Sequence, residues 1–254
     1  MKFYEACAGI GGIALGFRQA GFQIAGLCER DGWCQSKLRQ IFPESEIDND
    51  VYQLTGQSIR QRFGAIDVFA AGFPCQPYSQ SGKKLGADDE RDLWPEILRL
   101  VTEVKPRWFV GENSFGFELR GWATCQTDLA RAGYEAIAVD LTAAAFGLPT
   151  LERHLWILAA PYGGGLERDF AAKASWVSRM SLQLSGINQG IAKRRSVPES
   201  RFCSVGERLS RRSYKNPLRA IGNSVPPPMA RFIAEAILQA ERNLLEIPHD
   251  ETHR

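Results

Sequence analysis

The sequence predicts an α/β fold carrying a small basic appendage, and three observations predict it. Residues 2–28 read as strand, glycine turn, helix and strand. Residues 66–71, Ile-Asp-Val-Phe-Ala-Ala, have the length and apolar character of a buried parallel strand, and they stop at Gly72 before a loop stiffened by Pro74 and Pro77. Basic residues are concentrated in one late segment, between two stretches of ordinary α/β sequence.

Composition sets the outer bounds. A chain of 254 residues can bury a full core, so one large domain with a small addition is expected. No run of about 18 apolar residues occurs, so no membrane partner is expected. The start, Met1-Lys2-Phe3-Tyr4-Glu5, has no signal-peptide core, which points to a cytoplasmic protein. Six cysteines lie scattered without a C-x-x-C pair, which argues against zinc and a disulfide framework. The net charge of +2 divides unevenly: residues 163–219 hold twelve Lys/Arg against four Asp/Glu, or +8, and the remainder carries −6. A basic segment in a mildly acidic protein fits a polyanion partner, although a solvated polar surface has the same composition.

In chain order, residues 2–8 form the first expected strand, broken by Gly9-Ile10-Gly11-Gly12, and a helix follows over 13–20. Residues 23–28 form the second strand, closed by Glu29 and Arg30. Glycines allow a tight turn with close backbone approach, and the helix amino terminus adds amide donors. An acid about 20 residues beyond the first glycine stands where nucleotide-binding folds place one on a ribose hydroxyl pair. The glycine turn and Glu29 are therefore candidates to bind a nucleotide. A helix is expected over 32–41, stopped by Pro43. Asp50, before Val51, is equally suited to cap a helix or turn. Further on, a helix is expected over 93–103, starting at Leu93, and a strand over 107–111, ending at Glu112-Asn113-Ser114. A helix over 117–132, strands over 134–141 and 155–160, and a last helix from Met229 to about Leu245 complete the pattern.

The loop after Gly72 reads Gly72-Phe73-Pro74-Cys75-Gln76-Pro77-Tyr78-Ser79. It resembles the nucleophile loop of the cytosine-5 DNA methyltransferases. The first glycine turn resembles that family's S-adenosylmethionine turn, with Cys7 where many members have Phe. Asn49-Asp50-Val51 resembles its short adenine-flanking motif, Glu112-Asn113-Ser114 its Glu-Asn-Val, and Gly222-Asn223-Ser224-Val225-Pro226 its last motif, which returns to the first domain. Together these motifs cover about 200 residues in the family's order. One stretch departs: the family shows Gly-Val-Pro-Gln-x-Arg-x-Arg, and here Glu152 and His154 stand where the arginines belong, with Arg153 between them. On an extended segment 152 and 154 share a face and 153 points away.

The resemblance implies a Rossmann-like mixed sheet with a small target-recognition domain. It divides the chain into a catalytic and cofactor domain (1–161), a recognition domain (162–216) and a return segment (217–254). It implies Cys75 as nucleophile and Glu112 as the acid on the base. S-adenosyl-L-methionine would be held by Cys7, Ala8, Gly9, Ile10, Gly11, Gly12, Glu29 and Arg30, with Asp50, Val51, Pro74, Leu93, Asn223, Ser224 and Val225. Substrate contacts would come from Gln76, Ser79, Asn113, His154, Lys193, Arg194, Arg195, Arg211 and Arg212. The expected partner is double-stranded DNA, with a cognate restriction endonuclease in a bacterial or phage setting, and the chain is expected to be a monomer. A tRNA cytosine methyltransferase of the same family and an inactive DNA-binding regulator are the alternative readings.

Overall fold

The centre of the sheet is a strand buried on both faces. Phe3 and Tyr4, neighbours that point to opposite sides, are both fully buried in β1 (Lys2–Ala6). The structure, a computed structural model, describes residues 1–73, 92–117, 121–150, 152–162 and 224–245. Among these, β2 (Gln23–Cys28), β3 (Glu46–Asp48), β4 (Val68–Gly72), β5 (Trp108–Ser114), β6 (Tyr134–Thr142) and β7 (Arg153–Pro161) join β1 in one sheet. Its order is β3-β2-β1-β4-β5-β7-β6. β7 runs antiparallel to β5 and β6, and the other pairs are parallel, which makes the sheet mixed.

The chain first builds outward from β1 through β2 to β3, then returns to the other side of β1 with β4 and β5. The order therefore reverses between β1 and β4, and ligands of open α/β sheets bind beyond the carboxyl ends of the strands at such a reversal. Helices cover both faces. α1 (Gly12–Gln19), α2 (Gly32–Ile41) and the final helix α6 (Pro227–Leu245) enclose a core holding Phe3, Phe17, Leu38, Trp156, Met229 and Ile233. α3 (Gly56–Phe63), α4 (Trp94–Val104) and α5 (Trp122–Arg131) enclose the other, with Tyr4, Ile59, Phe69, Ile97, Phe109 and Leu129.

The boundaries of β2 and α2 are those expected from sequence. Others move for identifiable reasons. β1 stops at Ala6 because Cys7 takes a left-handed φ of 57°. β5 continues through Glu112 to Ser114, and β7 begins at Arg153, because the two extend each other in antiparallel register from Phe109↔Ala159 to Ser114↔His154. α6 begins at Pro227, two residues before Met229: prolines suit the first helical turn, whose N–H groups lack helical partners anyway. β3 and α3 lie outside the sequence expectation. α3 is polar, with Gly56 and Ile59 its buried residues, and is fixed locally by a Thr55–Ser58 capping box. Glu241 of α6 accepts the Trp108 indole N–H at 2.7 Å and pairs with Arg107, which ties the return helix to the start of β5.

Candidate active site

The glycine turn is built by two carboxylates. Glu29 leaves the end of β2 and accepts the Gly9 N–H on Oε2 and the Asp31 N–H on Oε1, each at 2.7 Å. It therefore links the turn to the entry of α2. A Cβ placed on Gly9, whose φ is +56°, would meet nothing within 4 Å. The backbone there faces open space that a ligand can approach. Glu5, next to the last residue of β1, is the second carboxylate and is 1% exposed. Its Oε2 accepts the Ala14 N–H at 2.9 Å, satisfying a donor in the first turn of α1. Burial pushes the Glu5 carboxyl well above the usual range; the Ala14 bond works against this, and the charges of Glu29 and Glu112 add to it. The sequence reading missed Glu5, although a charge inside a strand due for two-sided burial is a signal that could have found it.

The return segment closes on this turn from the other end of the chain. A Cβ on Gly12 would lie 2.1 Å from the Val225 carbonyl oxygen and 2.8 Å from Ser224 Oγ. Ser224 and Val225 thus sit directly against the turn.

On the other side of the reversal, β4 and β5 pair Gly72 with Glu112. A Cβ on Gly72 would be 3.7 Å from Glu112 Oε2, so this oxygen stands over the last residue of β4. Glu112 Oε1 is 2.8 Å from His154 Nδ1, with side-chain exposures of 12% and 9%. Burial alone would push the His154 imidazolium down, but its hydrogen bond to Glu112 and the charges of Glu112, Glu152 and Asp140 outweigh that, and the net direction is up. His154 Nε2 is buried with no hydrogen-bond partner among the described residues.

Asn113, expected among the substrate contacts, is held by the backbone around it. It is 2% exposed, donates Nδ2–H to the Phe73 carbonyl at 3.2 Å and accepts the Ser114 N–H on Oδ1 at 2.8 Å. It is a strut under Phe73, the last described residue before the Cys75 loop. Arg153 faces away from His154 and grips Asp140, its Nε at 2.8 Å, while Glu152 is exposed. Asp50 acts as a cap, accepting the Tyr52 N–H at 3.1 Å, and Val51 is buried behind it. Leu93 is half-buried at the entry of α4, and Arg30 is exposed beyond Glu29. Burial pushes the thiols of Cys7, Cys28 (to about 12) and Cys125 upward, which favours their neutral form. Pro74, Cys75, Gln76, Ser79, Lys193, Arg194, Arg195, Arg211, Arg212 and Asn223 lie outside the described residues.

The site thus gathers a glycine turn with its acid at one strand end and a largely buried Glu–His pair beside the entry to a Pro-Cys loop. The sequence profile described as C-5 cytosine-specific DNA methylase matches residues 1–160. The chain belongs to this family. Within the C-5 cytosine-specific DNA methylases, it is 42% identical over 113 residues to the type II methyltransferase M.NgoMIV of Neisseria gonorrhoeae, covering 44% of this chain and 35% of that protein. It is 34% identical over 181 residues to M.NaeI of Lentzea aerocolonigenes, covering 69% of this chain and 42% of the relative. It therefore spans less than half the length of either methylase. A solved structure described as a DNA modification methyltransferase from an Escherichia coli prophage superposes with a TM-score of 0.55 at 25% identity, covering 63% of this chain and 47% of that one. Among the described residues no helix is long and apolar enough to cross a membrane.

Proposed function

We propose that the chain methylates carbon 5 of cytosine in duplex DNA, using S-adenosylmethionine. The observation that carries this reading is the register of Gly72 with Glu112. It sets a largely buried carboxylate beside the strand end from which Cys75 follows three residues later.

Carbon 5 of cytosine is a weak nucleophile, and covalent catalysis divides the difficult step. The Cys75 thiolate adds to carbon 6, and the electron pair of the 5,6 double bond moves through the ring to nitrogen 3. Glu112, as its carboxylic acid, gives its proton to that nitrogen and so neutralises the developing charge. S-adenosylmethionine, when bound, supplies the electrophilic methyl group that carbon 5 receives. A base, a water or a side chain, then removes the carbon 5 proton, the double bond reforms, the Cys75 sulfur leaves as thiolate and nitrogen 3 returns its proton to Glu112. A stacked base is out of reach of such a site, so the cytosine is flipped out of the duplex.

The open backbone at Gly9, the Glu29 carboxylate at the strand end and the Ser224-Val225 contact with Gly12 fit an adenosyl cofactor. Those residues, with Val51 and Leu93, are the ones we assign to hold it. We assign DNA reading to residues 162–216, on their excess of basic residues and their position between the catalytic and return segments. The type II naming of the relatives supports a restriction endonuclease of the same specificity as partner.

Bisulfite sequencing of DNA from cells expressing the wild type and Cys75→Ser tests the reaction. New 5-methylcytosine with the wild type alone is expected. Methylation of tRNA in place of duplex DNA would move the substrate assignment, and equal methylation by both proteins would remove Cys75 from the mechanism.

A further inference from the structure

The position held by an arginine in the family's motif is here a histidine, and the structure gives this exchange a chemical meaning. An arginine stays charged under all ordinary conditions. A histidine beside a carboxylate holds a proton that can leave near neutral pH. The His154 ring is 7% exposed, its Nδ1 lies 2.8 Å from Glu112 Oε1, and its Nε2 is buried without a partner among the described residues. Glu112 meanwhile directs its second oxygen over Gly72, towards the start of the Cys75 loop. The carboxylate therefore has one oxygen on the histidine and the other on the side where the base would react.

We propose that His154 is the positioning residue of Glu112 and stores the proton that Glu112 delivers to the ring nitrogen of the bound pyrimidine. The proposal rests on the methyltransfer reading above. In the resting site the imidazolium donates Nδ1–H to the Glu112 carboxylate. When the thiolate adds to carbon 6, nitrogen 3 gains an electron pair. The Nδ1 proton passes to the Glu112 carboxylate, and the carboxylic acid so formed gives that proton to nitrogen 3. The sum is one negative sulfur and one positive imidazolium converted into a neutral covalent adduct and a neutral histidine, with Glu112 again a carboxylate. Reversal of the addition returns the proton along the same path. Nε2–H, the ring's other donor, is left for an acceptor on the substrate, and the exocyclic carbonyl of cytosine is an acceptor of that kind.

The charged groups around the pair are consistent with proton storage. Glu152 and Asp140 both favour the imidazolium, from β7's own entry and from the neighbouring β6. Arg153, the nearest cation in sequence, is turned away and held by Asp140. On the far side, Glu5 of β1 is the acid that feels the charge of Glu112.

Two measurements test this. Nuclear magnetic resonance titration of the His154 ring, in wild type and in Glu112→Gln, reads the pair without turnover. Losing an opposite charge at this distance should lower the His154 pKa by about one to three units; an unmoved titration overturns the proposal. The second is the pH dependence of covalent trapping on random-sequence duplexes carrying 5-fluorocytosine, with S-adenosylmethionine present. In wild type the trapping rate should fall as pH rises through the His154 pKa. His154→Arg should shift that alkaline limb upward or abolish it, and His154→Gln should shift it downward. A limb left in place by both variants overturns the proposal alone. Failure of the wild type to form any adduct at any pH overturns the methyltransfer reading and the proposal with it.

Discussion

The carbonyl oxygen of Val225 lies 2.1 Å from the place a Cβ on Gly12 would occupy, although the two residues are more than two hundred positions apart in sequence. The contact joins the first helical turn of the chain to the segment that leads into α6, and Gly16 repeats it one turn on, with the Pro227 carbonyl at 2.5 Å. Backbone oxygens cannot rotate out of the way as a side chain would, so the glycines are what allow α1 and α6 to meet.

Gly12→Ala should therefore separate the return segment from the turn. Forcing a methyl group into such a packed contact costs about 1–3 kcal/mol. Urea unfolding should show a lower midpoint with an unchanged slope, and calorimetry should show weaker S-adenosylmethionine binding. Gly21→Ala is a useful contrast: its Cβ would meet nothing within 4 Å, but its φ of +96° carries a conformational cost. It should lower stability and leave cofactor affinity unchanged.

Glu5 makes a prediction with a definite sign. Its carboxyl titrates well above the ordinary value in the folded chain, mainly through burial. Between the unfolded and folded values the folded state binds the extra proton, so stability falls as pH rises through that window, approaching about 1.4 kcal/mol per pH unit for one proton. Glu5→Gln keeps an acceptor for the Ala14 N–H and has no charge to lose. Thermal melts from pH 5 to pH 9 should show the variant overtaking the wild type as pH rises. Parallel curves would mean that Glu5 is ionised in the folded state.

Much of the parallel half of the fold was readable because its signals are local, β3 and α3 excepted. β2 and α2 follow from hydrophobic pattern and from Pro43, and Asp31, whose side chain accepts the Trp33 and Cys34 N–H groups, caps α2 where it was expected to begin. The antiparallel half was only partly readable: Glu112 and His154 are extended because β5 and β7 pair over them, and pairing across forty residues leaves no trace in either segment. For the same reason, alternation could put His154 and Arg153 on opposite faces but could not say what each face meets. Asn113 shows the limit most clearly. Its motif implies a substrate contact, and only the packing reveals the Phe73 carbonyl bonded to its amide.

That strut is itself testable. Asn113→Ala leaves a buried carbonyl and the Ser114 N–H without their partner, a loss of about 1–3 kcal/mol for an unsatisfied buried group. Because Phe73 leads into the Cys75 loop, the turnover rate should fall while cofactor affinity holds. Asn113→Asp should be more harmful than Ala at neutral pH, since a buried carboxylate would face the Phe73 oxygen without a proton to donate. An Asp variant with wild-type turnover and stability would show that the Phe73 contact contributes nothing.

Glu29 carries two duties, and substitutions can separate them. As a clamp it accepts the N–H groups of Gly9 and Asp31, one on each oxygen. As the proposed ribose ligand it would use the lone pairs those bonds leave free. Glu29→Gln has one acceptor oxygen, and its amide nitrogen would point a donor at another donor. It should therefore lose nearly as much stability as Glu29→Ala, roughly 1.5–3 kcal/mol for a hydrogen bond to a charged group. If the ribose role is real, calorimetric titration with S-adenosylmethionine well below the melting temperature should show affinity falling about tenfold or more for both variants, since 1.4 kcal/mol is one factor of ten. Lowered melting temperatures with an unchanged Kd would leave Glu29 as a clamp alone and return the ribose to another acceptor. The two readouts are independent because the clamp acts on the backbone of the turn, whether or not a ligand is present.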